Sequence, residues 1–255
     1  MKNQNRFGYE WKNYNEILPI YEKQFLKWVP RLKKKDWENK KILDVGCGIG
    51  RNSLWPLKYK AKYAELIDVD LRTLKVAKQN LKHFKNVKIR EMSIYELNKK
   101  NHFDIVFSIG VIHHLENPKL AVFKMCQSLK SNGIITLWVY GYENNEWIVS
   151  YFNPIRNLIF KRLPIQFLHF LSVIPTIFLW IYLKLGFGSI MYMELIREFT
   201  FRHLRSIVFD QMLPEVANYW TKEEVLELFK DLPIKDVEIE WVNEMSWAIS
   251  GKKIN

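Results

Sequence analysis

Cysteine is scarce in this chain of 255 residues. Only Cys47 and Cys126 are present, which is too few for a disulfide framework and lacks the spacing of a metal site. We therefore predict no metal and a reducing compartment. The first ten residues are polar and no early apolar segment follows them, so the sequence predicts no signal peptide and a cytoplasmic location.

Internal repeats and low-complexity segments are also lacking, and acidic residues are outnumbered. Hydrophobic residues make up 48% of the chain, enough for the core of one elaborated domain, or of one domain with a subdomain. Lysine and arginine number 39 against 27 acidic residues, for a net charge of +12. That excess favours contact with polyanions or an anionic membrane, but a lysine-rich solvated surface explains it equally well.

Strand and helix patterns alternate between residues 41 and 140. Short apolar runs rich in β-branched residues predict strands at 41–46, 63–69, 87–92, 103–109 and 133–140. Helical periodicity is clearest at 16–30, 71–83 and 118–130. This alternation predicts an α/β domain in which helices cover both faces of a parallel sheet, with ligands beyond the carboxyl ends of the strands.

A glycine-rich loop follows the first predicted strand. Gly46, Gly48 and Gly50 come directly after Asp44 and Val45, and the spacing differs from the dinucleotide-binding fingerprint G-x-G-x-x-G. Glycine allows a sharp turn and a close approach of backbone to ligand. The loop therefore predicts a ligand site where the first strand ends.

An acidic residue ends the second predicted strand. Asp68 closes the apolar run about twenty residues after the glycine loop, and a carboxylate there can accept hydrogen bonds from both hydroxyls of a ribose. Asp70 is the rival candidate. We favour Asp68 because it is the residue that closes the strand.

A second motif surrounds the fourth predicted strand, where Phe103-Asp104 is followed by Val111-Ile112-His113-His114-Leu115. Together with the glycine loop and the acid, this resembles the class I S-adenosylmethionine (AdoMet) methyltransferases, and the whole-chain pattern resembles bacterial type-11 members. The resemblance covers about residues 41–140 and 221–250. It implies a Rossmann-like, seven-stranded, mostly parallel sheet with helices on both faces, a helical insertion, and AdoMet as cofactor.

The resemblance also implies which residues bind AdoMet. Most matched positions lie in the glycine loop or at strand ends, and Ser93 stands where the family usually has an aspartate for the adenine amino group. Arg6 or Arg51 can pair with the cofactor carboxylate, although a surface charge is the alternative. The expected cofactor-binding residues are Asp44, Gly46, Cys47, Gly48, Gly50, Asp68, Val69, Ser93, Ile94 and Ile109.

The domain organisation follows from these motifs. We expect an N-terminal lid helix within residues 1–40, an AdoMet-binding domain at 41–140 and 219–255, and a helical hydrophobic cap at 141–218. Leu163 to Leu183 contains no Lys, Arg, Asp or Glu and reaches transmembrane length. A single crossing would separate the two parts of the sheet. We therefore expect a helical pair, bent near Pro175, that caps the site and can contact the membrane surface peripherally. A cap packed fully on its own domain, with a water-soluble acceptor, is the alternative.

Catalytic and substrate residues are less constrained, because AdoMet carries an already activated methyl group. His113 is the candidate general base, with a structural role as the alternative. Tyr9 and Trp11 can close over the sulfonium, where aromatic faces attract cations, and packing of the N-terminal helix is the equal alternative. His114, Tyr140 and Asp210 are the other candidate substrate residues.

The expected function is methyl transfer from AdoMet to a small-molecule acceptor that is apolar or lipid-linked. The net charge keeps open an RNA methyltransferase, although no Asn/Asp-Pro-Pro-Tyr or Pro-Cys signature supports a nucleic acid partner. A non-catalytic AdoMet-binding or membrane-associated subunit is the alternative from another class. The sequence does not define the oligomeric state.

Overall fold

The structure, a computed structural model, describes residues 2–254, without the side chains of residues 2–5, 11 and 12. The predicted role of Trp11 therefore concerns a side chain outside the described part. The strands are β1 (Lys41–Val45), β2 (Tyr63–Asp68), β3 (Val87–Glu91), β4 (Phe103–Ile109), β5 (Leu129–Tyr140), β6 (Ile234–Val242) and β7 (Ser246–Lys253).

Helices flank the strands and fill the insertion. Their bounds are α1 (Lys2–Asn13), α2 (Ile20–Trp28), α3 (Leu54–Lys58), α4 (Leu71–Asn80), α5 (Pro118–Ser128), α6 (Asn153–Leu158), α7 (Ile165–Leu171), α8 (Val173–Lys184), α9 (Met191–Arg197), α10 (Phe201–Met212) and α11 (Lys222–Glu227). Short 3-10 segments lie at Lys34–Trp37, Ile94–Glu96, Ile112–His114 and Phe160–Arg162, and a π-helical turn spans Ile148–Phe152.

The seven strands form one sheet in the order β3-β2-β1-β4-β5-β7-β6. Strands β1 to β5 pair in parallel, and β7 pairs antiparallel with both β5 and β6. This confirms the predicted Rossmann-like, mostly parallel sheet. The strand order reverses between β1 and β4, so the crevice expected of such sheets opens beside the loop that follows β1.

Two apolar cores cover the two faces of the sheet. Ile42 faces one core with Phe25 and Trp37, whereas its neighbour Leu43 faces the other with Val106. All five side chains are fully buried. Successive strand residues point to opposite faces, so a continuous apolar run in β1 satisfies both cores at once.

The N-terminal segment contains a helix that periodicity did not indicate. Helix α1 precedes the predicted helix at 16–30, which is shorter in the structure and spans Ile20–Trp28. Gly8 of α1 lies so close to α4 that a Cβ would strike the side chains of Asp70 and Arg72. The absent side chain thus lets α1 lie against the start of α4, near the end of β2.

The insertion forms helices α6 to α10, and α7 and α8 are the two helices in the stretch where the sequence predicts a helical pair. Helices α7 and α8 meet at Ser172, so the break lies three residues before the predicted bend at Pro175. Pro175 instead occupies the first turn of α8, where a missing N–H costs no helical hydrogen bond. Both helices contact α10.

Candidate functional site

The glycine loop adopts backbone conformations that favour glycine. Gly46, Gly48 and Gly50 have φ angles of 76°, 51° and 76°. A Cβ at Gly46 would also strike Val111 after β4. The amides of Gly46 and Cys47 donate to the Ile67 carbonyl, which ties the loop to the end of β2. The residues therefore form a cradle that a larger side chain would fill, and this fits a bound cofactor.

Asp44 lies in β1, directly before this loop. Its carboxylate accepts a hydrogen bond from the Ser53 hydroxyl at 2.5 Å and is 2% exposed. Burial raises the pKa of Asp44 to about 7. The predicted cofactor residue thus joins β1 to the start of α3 and shapes the cradle above it.

Asp68 and Asp70 differ in the hydrogen bonds that their carboxylates accept. Asp68 Oδ2 accepts the Gly48 amide at 2.9 Å, and its Oδ1 accepts the Asp70 amide at 3.0 Å. The Asp70 carboxylate caps α4 by accepting the Arg72 amide at 2.8 Å, and it also binds the Arg72 guanidinium. The Asp70 carboxylate therefore caps α4, whereas the Asp68 carboxylate lies between the cradle and the end of β2.

The remaining candidate cofactor residues lie at or near the carboxyl ends of their strands. Ile94 is 5% and Ile109 7% exposed, whereas Val69 is 41% exposed. Ser93 caps the short helix after β3, where its hydroxyl accepts the Tyr95 amide at 3.3 Å. Because β1 to β4 are parallel, these residues lie along one edge of the sheet.

The lid and the cap meet through α1. Tyr9 contacts His169, with 3.5 Å between the Tyr9 hydroxyl and Nδ1, and its ring packs against Phe209. Arg6 donates to the Phe160 carbonyl at 2.7 Å. The structure therefore places Tyr9 and Arg6 in the contact between α1 and the cap. The guanidinium of Arg51 lies over the Tyr21 ring at 4.8 Å.

His113 and His114 lie just beyond β4. The Tyr140 amide donates to His113 Nδ1 at 3.4 Å, which places the ring proton on Nε2 and leaves no free basic nitrogen. Burial lowers the pKa of His113 well below its usual value. His114 Nδ1 donates to the Val216 carbonyl at 2.8 Å, and burial lowers the pKa of His114 to about 4. Both rings are therefore neutral at pH 7, which favours a positioning role for His113.

Tyr140 and Asp210 lie together, as two of the predicted substrate residues. The Tyr140 hydroxyl donates to Asp210 Oδ2 at 3.1 Å, and its ring stacks on His113 with 3.8 Å between centroids. Sequence reasoning missed Glu10, which is 1% exposed and lies near enough to Asp210 for the Asp210 charge, after burial as the main cause, to raise the pKa of Glu10. An acid inside the aromatic run Phe7-Gly8-Tyr9-Glu10-Trp11 was the available signal.

The comparisons with known proteins agree with this geometry. Residues 43–137 match the family model described as a methyltransferase domain. The chain carries a class I methyltransferase domain. Its cofactor is AdoMet, as the motifs implied. A solved AdoMet-dependent methyltransferase from Aquifex aeolicus shares the fold, with a TM-score of 0.56, 13% identity and coverage of 97% of this chain and 98% of that one.

Two curated relatives show how widely the methyltransferase domain is used. A tRNA U34 carboxymethyltransferase from Pseudoalteromonas atlantica is 33% identical over 42% of this chain and 35% of its own length. A ubiquinone biosynthesis O-methyltransferase from Rickettsia typhi is 30% identical over 41% of this chain and 42% of its own length. The chain spans well under two thirds of the length of these relatives, so they leave the acceptor open.

Ser93 offers a test of adenine recognition in the methyltransferase domain. Ser93→Asp keeps an N-cap of similar strength and supplies the carboxylate that the family usually has. A charge-assisted hydrogen bond of about 1.5–3 kcal/mol predicts an AdoMet affinity about tenfold higher. Isothermal titration measures it, with Ser93→Thr as the control that keeps the hydroxyl. An unchanged or weaker affinity for Ser93→Asp would place the adenine elsewhere.

Proposed function

We propose that the chain transfers the methyl group of AdoMet to a small-molecule acceptor that is apolar or lipid-linked, at the surface of a membrane. The sulfonium already activates the methyl group, so the protein has to align the acceptor and exclude water. The observation that carries the proposal is an exposed apolar face on the cap, which comprises Phe167, Phe170, Ile174, Ile177, Phe178 and Ile181 of α7 and α8.

This apolar face is unusual for a protein surface in water. Phe170 is 68% and Phe178 69% exposed. Across the described chain, Ile165–Lys184 is the one helical stretch long and apolar enough to cross a membrane, with a mean hydropathy of 1.7, and only 17% of it is buried. Contiguous exposed apolar patches mark interaction sites for proteins or membranes.

The charges around the apolar face suit an anionic surface. No Asp or Glu occurs between Glu146 and Glu194. Lys161, Arg162 and Lys184 flank the two helices, and the Lys184 ammonium lies 5.9 Å from the Trp180 ring centroid. Basic residues next to an apolar helical face are typical of in-plane membrane binding.

The sheet topology supports in-plane contact over a crossing. Strands β1 to β5 precede α7 and α8, while β6 and β7 follow them in the same sheet. A single membrane crossing by α7 and α8 would place β1 to β5 on one side of the membrane and β6 and β7 on the other. An open surface depression of about 450 Å³ lies beside α8, lined by Tyr182, Phe187, Ile190 and Met193 among others.

Two alternatives remain as outcomes of the test. The net charge of +12 and the tRNA-modifying relative favour an RNA acceptor. A non-catalytic AdoMet-binding subunit is the other alternative. The apolar face weighs against RNA, because backbone phosphates bind basic rather than apolar surfaces.

Incubation with methyl-labelled AdoMet and a bacterial extract tests the proposal. The labelled extract is then separated into lipid, RNA, protein and water-soluble fractions. We expect label in the lipid fraction. Label confined to RNA would establish the RNA alternative, and cofactor binding without transfer to any fraction would establish the non-catalytic subunit.

A further inference from the structure

A polar cluster lies where α1, the end of β5 and the cap meet, with Glu10 buried and Tyr140 and Asp210 half-buried. Glu10 of α1 lies beside Asp210 of α10, and burial together with the charge of Asp210 raises the pKa of Glu10 well above its usual value, which favours one proton shared by the two carboxyl groups. The Tyr140 hydroxyl donates to Asp210 Oδ2 at 3.1 Å. Three segments far apart in sequence thus bring their polar groups together.

The cluster has unsatisfied atoms in the described part of the chain. Glu10 Oε2 is buried and accepts no hydrogen bond there, although Glu10 is only 1% exposed. Arg156, 2% exposed, likewise lacks an acceptor for Nε, while its Nη1 donates to the Gln211 carbonyl at 3.3 Å. Buried polar atoms without partners are costly in a native protein, and they indicate a ligand that completes the cluster.

We propose that the carboxyl pair Glu10–Asp210 binds the reacting hydroxyl of the acceptor and takes up its proton during methyl transfer. The inference rests on the proposed function and narrows the acceptor to an alcohol or phenol. A neutral amine or an ionised carboxylate would need no proton acceptor, whereas a hydroxyl does.

The proposed step balances in atoms and electrons. A bond forms between the acceptor oxygen and the methyl carbon while the bond from that carbon to sulfur breaks, and the bonding electron pair stays on sulfur. The hydroxyl proton passes to a carboxylate oxygen of the pair. The pair then holds two protons and returns one to solvent after the product leaves.

Neighbouring groups are poorer proton acceptors than the pair. His113 has no free basic nitrogen, and the pKa of His114 is lowered to about 4 by burial. Burial and the charge of Asp210 raise the pKa of the Tyr140 hydroxyl well above its usual value, so Tyr140 stays protonated and serves as a donor. The carboxyl pair carries the negative charge that can accept a proton.

The methylation rates of the variants Glu10→Gln and Asp210→Asn test the carboxyl pair directly. The rate is read in whichever extract fraction the wild type labels, so a wrong acceptor class leaves this comparison intact. Because a general base is lost, we expect the methylation rate at saturating AdoMet to fall by at least about 100-fold. The affinity for demethylated AdoMet should stay unchanged. Exposed Glu16→Gln and Glu198→Gln are the matched controls. Wild-type rates in both variants would overturn the proposal.

Thermal unfolding without cofactor separates this role from a structural one. Burial, the main cause, and the neighbouring Asp210 raise the pKa of Glu10 well above its usual value, so stability is present at low pH and lost as pH rises above the unfolded value. Glutamine does not ionise, so Glu10→Gln removes this loss of stability at high pH. We expect its unfolding temperature to exceed that of the wild type by about 2–4 °C at pH 8, and by less at pH 5.

The other groups facing Glu10 and Asp210 are Arg51, Arg156, Tyr14, Tyr21, Tyr140, Tyr192 and Tyr219. Tyrosine stays neutral and arginine stays charged between pH 5 and pH 8, so the change with pH belongs to the carboxyl pair. A lower unfolding temperature for Glu10→Gln at both pH values would assign the pair a structural role and overturn the proposal.

Discussion

Replacement of Asp68 by alanine is expected to weaken AdoMet binding by about 100-fold or more. Its carboxylate can accept both ribose hydroxyls, and each charge-assisted hydrogen bond contributes about 1.5–3 kcal/mol, with 1.4 kcal/mol per tenfold change in affinity. Asp68 also accepts the Gly48 amide, so the variant loosens the cradle as well. Isothermal titration of AdoMet and of its demethylated product measures the loss.

Asp70→Ala is the matched control for Asp68→Ala. It removes the N-cap of α4, which costs about 1 kcal/mol of stability, but it leaves the cradle intact. We expect a lower unfolding temperature and nearly normal AdoMet affinity. The opposite pattern, normal affinity in Asp68→Ala and a large loss in Asp70→Ala, would transfer the ribose contact to Asp70.

The double variant Phe170→Asp, Phe178→Asp is expected to lose vesicle binding almost completely. Burying each phenylalanine in an apolar phase contributes about 1.5–3 kcal/mol, so losing both lowers the partition coefficient by about 100-fold or more. Co-sedimentation with vesicles that contain anionic lipid measures the change. Neutral vesicles should bind the wild type more weakly, because each nearby lysine or arginine contributes about 1 kcal/mol at an anionic surface.

Phe123→Asp controls for the loss of an exposed phenylalanine as such. Phe123 is 43% exposed and lies on α5, away from the apolar face. The Phe123→Asp variant should therefore bind vesicles as the wild type does. A wild-type protein that binds neither anionic nor neutral vesicles, and stays monodisperse without detergent, would remove the membrane contact and leave a water-soluble acceptor.

The sequence predicted the sheet because the pattern that forms it is local. The apolar run in β1, the three glycines and the acid that ends β2 are each readable within a few residues, and the parallel topology then brings them together. The boundaries of helices and strands differed by a few residues. The predicted strand at 133–140 begins at Leu129 in the structure, and the predicted helix at 118–130 ends at Ser128. Local periodicity does not determine where a helix or strand frays.

The residues proposed to bind the methyl acceptor were harder to predict because they come from distant segments of the chain. Glu10, Tyr140 and Asp210 meet only after α1 and α10 pack together, and nothing local marks Glu10 as buried. His113 was a candidate base because it follows a strand end at the mouth of the crevice, with a structural role as the alternative. Its Nδ1 accepts a backbone amide, and only the tertiary structure reveals that contact.

One measurement tests the central claim, that the methyltransferase domain acts on an acceptor delivered through the apolar face. A lipid extract is offered either in vesicles or in detergent micelles, with labelled AdoMet. We predict that the wild type methylates lipid in both, whereas the Phe170→Asp, Phe178→Asp variant does so only in micelles. Equal transfer from vesicles by both proteins, or label found only outside the lipid fraction, would contradict the claim.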